Sequence, residues 1–180
     1  MNFVPDLPKQ AADVPFFEDV EASDGWQGQT TQKSMDSLKS EVAIAVSRLG
    51  GIVVGFVKGS FDNRMGFRLH YTITAPDGML IPGQIDIAAL PIRGPKRHYD
   101  NKTKERAQEQ SLKMALFMFR NALSGLWFLQ QLSPGYAPLM PFMIMQDGKT
   151  VTQIWSEQSN MKMLVPPKDG DFVEGEVRDG

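Results

Sequence analysis

Residues 112–125 read LKMALFMFRNALSG. Every position from Met114 to Phe119 is apolar, so a helix drawn through this stretch is apolar nearly all round, not along one stripe. The flanking residues extend the helix from near Asn101 to about Gln131, with a bend expected around Ser124–Gly125. Such a helix must be covered on more than one side, either sandwiched in its own domain or pressed against another subunit. Its continuous apolar run, MALFMF, is far too short to span a bilayer.

Upstream, TQKSMDSLKSEVAIAVSRL (31–49) places Met35, Leu38, Val42, Ala45, Val46 and Leu49 on one helical face. Thr31 or Ser34 can cap its start, and Gly50–Gly51 ends it. Three strands follow. IVVGFVKG (52–59) is rich in β-branched residues, and MGFRLHYTIT (65–74) alternates strictly, with Phe67, Leu69, Tyr71 and Ile73 opposite Arg68, His70 and Thr72. APDG (75–78) is turn chemistry. MLIPGQIDIAAL (79–90) is a third strand in which Pro82 and Gly83 suggest an edge position or a bulge. Short loops favour an antiparallel meander. Downstream of the long helix, PFMIMQDGKTVTQIW (141–155) reads as a hairpin turning at Asp147–Gly148. The expected fold is α+β, an α-β-β-β-α core with a three-stranded meander packed on the long helix, plus a C-terminal β-hairpin. Residues 1–29 form an acidic irregular arm, 30–160 a single domain, and 161–180 an acidic loose tail.

Charge is unevenly spread. The chain carries a formal −2, yet residues 93–120 hold eight Arg or Lys against three acids. Residues 1–28 hold six acids against Lys9 alone, and residues 165–180 hold five acids against Lys168 and Arg178. The basic stretch PIRGPKRHYDNKTKER (91–106) contributes Arg93, Lys96, Arg97, Lys102, Lys104 and Arg106. Cations in the first turn oppose the positive end of the helix dipole by a few tenths of a kcal/mol each (an order-of-magnitude figure), a bias toward an anion nearby. Lys and Arg at this density suit phosphate neutralisation. Phe61 and Tyr99 lie among Lys58, Arg64, Arg97 and Lys102, where they could stack on unpaired bases. Arg68 and His70 share the outer face of the middle strand.

With 180 residues, 42% of them apolar, the chain is one globular domain with tails. There is no cysteine, so disulfide frameworks and thiolate metal sites are excluded, and a reducing compartment is expected. No secretory or transit pattern opens the chain, so a cytoplasmic location is the expectation. His70 and His98 are the only histidines and have no partner at ligand spacing. No HExxH, GxSxG or P-loop pattern is present. The expectation is therefore no enzyme, no catalytic residue, no cofactor and no metal.

Helix, three-stranded meander, long helix is an order shared by the duplex-RNA-binding module and the single-strand annealing proteins of the Rad-fifty-two superfamily. The long helix resembles the annealing family. Its motif runs Leu-Lys-Arg-Ala-Leu-Arg-x-Phe-x-Asn-Ala-Leu-Gly, matched without a gap by Leu112, Lys113, Ala115, Leu116, Phe119, Asn121, Ala122 and Leu123. Met114 and Phe117 stand where the motif carries Arg. Asp77–Gly78 is similar to the family's turn between the second and third strands. The resemblance implies a ring-forming homo-oligomer that binds single-stranded nucleic acid, DNA ahead of RNA, in a basic groove. It further implies annealing of complements in recombination or repair without ATP, with Lys113 in the inner groove. The expected nucleic-acid contacts are Lys113, Lys102, Lys104, Arg106, Arg93, Lys96, Arg97, Arg68, Lys58 and Arg64, gathered in one trough. The expected subunit interface uses Phe16, Phe17 and Trp26 of the arm with Met114, Phe117 and Met118 of the helix. An oligomeric assembly protein and a duplex-RNA binder are the alternatives.

Overall fold

The computed structural model describes residues 14–62, 64–93 and 101–160. Helix α1 (Met35–Arg48) leads into β1 (Gly51–Phe61), β2 (Arg64–Thr74) and β3 (Leu80–Ala88). Helix α2 (Asn101–Leu132) and a short α3 (Val151–Asn160) follow. The strands form one antiparallel sheet in the order β1-β2-β3. The protein is thus α+β with a three-stranded meander.

Local chemistry sets the boundaries. Ser34 caps α1, its Oγ accepting the Ser37 N–H at 3.1 Å. Gly50, at φ +90°, ends the helix in the left-handed region. Gly51 must be small, because a Cβ there would lie 2.7 Å from Val46 Cγ1. The α1 face predicted from spacing is the buried one: Leu38, Val42, Ala45 and Val46. In β2 the alternation holds, with Phe67, Leu69 and Tyr71 buried. Together with Ile85 and Ile87 of β3 they meet Leu112, Leu116 and Leu123 of α2. Full burial of each such leucine contributes about 1.5–3 kcal/mol.

Both helices cover the same sheet face. On the other face Arg68 makes a bidentate pair with Asp86, its register partner, at 2.7 and 2.9 Å. Pro82 and Gly83 indeed lie on an edge strand, but the bulge falls in β1, between Val53 and Gly55. Gly83 serves another purpose: a Cβ there would stand 2.3 Å from Tyr71 Cζ. Its missing side chain makes room for the Tyr71 ring, whose hydroxyl donates to the Leu139 carbonyl at 3.1 Å. This ties the segment after α2 to the sheet, and Ile144 N–H reinforces it by donating to Pro82 O at 2.9 Å.

Helix α2 is continuous through Ser124–Gly125. One expectation changes. The hairpin expected over 141–155 is reduced to its turn, where Met145 N–H donates to Lys149 O and Ile144 bridges Thr150. From Val151 the chain is helical. The cause is a capping box in Thr150-Val-Thr-Gln153: Gln153 N–H donates to Thr150 Oγ1 at 3.2 Å, and Thr150 N–H to Gln153 Oε1 at 2.9 Å.

Two substitutions test this packing. Gly83→Ala should cost at least about 2 kcal/mol of stability, since neither the Tyr71 ring nor the backbone can yield. Burial pushes the Tyr71 hydroxyl up to about 12. The unfolded chain ionises first, so wild-type stability should fall as pH rises from about 10 toward 12. Tyr71→Phe should lose about 1 kcal/mol at neutral pH with its hydrogen bond, and should flatten that alkaline decline in denaturant titrations.

Candidate nucleic-acid interface

Helix geometry disperses the cations of α2. Residues two apart point to nearly opposite sides, so Lys104 and Arg106 cannot share a face. Lys104 turns toward the exit of β3, where it lines a cleft of about 170 Å³ with Arg64, Pro91, Ile92, Gln108 and Ser111. Arg64 is held there by its backbone contacts: Nε donates to Ala89 O at 2.8 Å and Nη2 to Ala88 O at 3.3 Å. Those bonds use two of its five N–H groups. Ser111, fully buried, donates to Leu90 O at 2.9 Å and fixes the β3 exit against α2.

Arg106, Lys113 and Arg120 recur every seven residues, close to two turns, and so follow the other side of the helix. That side faces α1, where Arg120 Nε lies 3.4 Å from Glu41 Oε2. Lys113 pairs with Glu109 at 3.1 Å, and its side chain is only 18% exposed. Lys58 stands opposite Phe67 and lines a cavity with Glu105, Glu109 and Leu112. Arg68, bound to Asp86, occupies the outer sheet face, with its guanidinium 5.8 Å from the Phe61 ring. Arg93 is engaged by the arm: its guanidinium pairs with Asp19, its N–H donates to Glu18 Oε2 at 3.1 Å, and it lies 5.3 Å from the Phe16 ring centre.

The described cations of the expected set are therefore dispersed where the sequence suggested one trough. Arg64 and Lys104 share the cleft, with Arg93 just beyond it. Arg106, Lys113 and Arg120 share another side of α2, on which Arg120 meets Glu41 of α1; Lys58 lines a cavity with Glu105 and Glu109, and Arg68 is on the outer face. Lys96, Arg97, His98 and Tyr99 lie outside the described residues, as does the Lys102 side chain.

The aromatic arm packs within its own chain. Val20, Leu90 and Met114 form a small core bordered by Phe17, Trp26 and Met118. Phe117 fills the space above Gly28, where a Cβ would come within 2.7 Å of its ring. Gln110, which the sequence reading passed over, donates to Gln29 O at 2.9 Å and Thr31 O at 3.1 Å. Asn121 of the motif donates to Gln27 Oε1 at 3.2 Å. Nothing local in the sequence marks Gln110 as a clamp, because both its acceptors are distant backbone carbonyls. Beside this docked arm an apolar groove of about 590 Å³ opens between the β3 edge and α2, lined by Ile87, Ala88, Met114, Met118, Phe119 and Ala122 among others.

Among the described residues, no helix is long and apolar enough to cross a membrane, and no group of three or more His, Asp or Glu side chains could hold a metal ion. No protein-family model, curated protein or solved structure matches the chain.

The two cleft cations should separate in stability measurements. Arg64→Ala frees the Ala88 and Ala89 carbonyls and should cost about 1–2 kcal/mol. Exposed Lys104→Ala should stay within about 0.5 kcal/mol of wild type in denaturant unfolding.

Proposed function

We propose that the protein binds single-stranded nucleic acid, DNA in preference to RNA, and brings complementary strands together without ATP. It would do so as a self-associating member of the single-strand annealing class of the Rad-fifty-two superfamily. The observation that carries this reading is the convergence of Arg64 and Lys104 on one cleft at the start of α2. The same helix bears the motif-like residues Leu112 to Leu123. Gln108 adds a neutral hydrogen-bonding group to the wall.

The mechanism follows from electrostatics. Cations in the cleft neutralise a backbone phosphate and release its counterions, giving affinity that does not depend on sequence. A strand held by its phosphates leaves its bases free to pair. Lowered charge then reduces repulsion between two incoming strands. No covalent bond changes, so this reading requires no catalytic group or cofactor.

A second reading, an assembly protein, draws on the apolar groove beside β3 and on exposed Phe128, Leu129 and Leu132 at the far end of α2. The annealing reading also needs self-association, so light scattering alone does not separate the two. Oligonucleotide binding does. Labelled single strands should bind at low salt, with log affinity falling linearly against log salt. Lys104→Ala should weaken binding and lower the slope by about 0.7 for the lost phosphate contact. Oligomers that ignore nucleic acid at low salt would favour the assembly role. Preference for duplex RNA would favour the duplex-binding alternative.

A further inference from the structure

Arg93 directly follows Ile92 on the cleft wall, so it stands where a strand leaving Arg64 and Lys104 would pass. Three groups from one short stretch of the arm already engage it. Asp19 takes the guanidinium, Glu18 accepts the backbone N–H at 3.1 Å, and the Phe16 ring lies 5.3 Å from the guanidinium carbon. The stretch is anchored beside them by Phe17 N–H donating to Pro91 O at 2.9 Å. Two carboxylates and an aromatic face are the groups that a nucleotide would present to an arginine: anionic oxygens and a π surface.

We propose that Phe16–Asp19 is an internal competitor for the polynucleotide, holding Arg93 until a single strand displaces it. The proposal rests on the nucleic-acid reading above and adds a regulation of the same site. The arrangement suits exchange. Glu18, Asp19 and Arg93 are all exposed, so their pairing is screened and weak, and a polyanion with several phosphates outcompetes it. The arm need not leave the helix, because Val20 and Trp26 hold its next residues against Met114 and Met118 independently of these charges. Only the acidic tip moves.

The test compares two double variants that change net charge equally. Glu18→Gln with Asp19→Asn removes both carboxylates from Arg93. Glu21→Gln with Asp24→Asn removes two arm carboxylates from elsewhere, since Glu21 bonds Ser23 and neither residue pairs with Arg93. Each is titrated with a labelled oligothymidylate at several salt concentrations, with thermal unfolding as the check on folding. The first variant should bind roughly three- to five-fold more tightly than wild type at low salt, while the second changes by less than about two-fold. Adding Arg93→Gln to the first variant should abolish the gain. Equal gains in both double variants would reduce the effect to net charge and overturn the proposal. Wild-type binding that is unchanged in the first variant would overturn it while leaving the nucleic-acid reading intact. No binding by any variant would remove that reading, and the competitor with it.

Discussion

A helix that is apolar nearly all round cannot be satisfied by one sheet. The constraint acts through α2. One side, with Leu112, Leu116 and Leu123, is taken by the meander and α1. The opposite side carries Met114 and Met118, beside the groove at the β3 edge. The arm supplies the missing cover through Val20, Phe17 and Trp26, and Gln110 and Asn121 clamp it by hydrogen bonds. Domain and arm are thus one packing unit, because either alone would leave part of α2 against water.

That cover has an electrostatic consequence. The arm is acidic, and docking it on α2 brings its carboxylates to the basic end of the domain. Many of the described cations have an acid nearby: Arg93 with Asp19, Arg68 with Asp86, Lys113 with Glu109, Arg120 with Glu41. Such exposed or half-exposed pairs contribute little to stability. Their effect is to hold positive charge in place while the net charge stays slightly negative. A ligand for these cations would exchange one set of anions for another, which makes its affinity sensitive to salt and to the arm.

Small residues position the larger groups. Gly83 admits the Tyr71 ring, Gly28 admits Phe117, and Gly51 lets α1 turn tightly into β1. In each case a Cβ would enter space already occupied, so close packing rather than flexibility fixes the residue.

The sequence by itself determined the elements that depend on neighbours in the chain. The α1 face, the alternation of β2, the turn at Asp77–Gly78 and the existence of α2 are all encoded at spacings of two to four residues. The capping box at Thr150 was equally local, and reading 151–155 as a strand passed over it. Charge asymmetry between arm and helix was also plain in the composition. Tertiary structure alone decided which cations share a cleft, because Lys104 and Arg64 are forty residues apart; that Lys104 and Arg106 point opposite ways already follows from helical spacing. It also decided that the aromatic arm covers its own helix, and that Asp19 meets Arg93. Those outcomes depend on how the meander, α1 and α2 stack, and no periodicity records the distance between residues that only packing brings together.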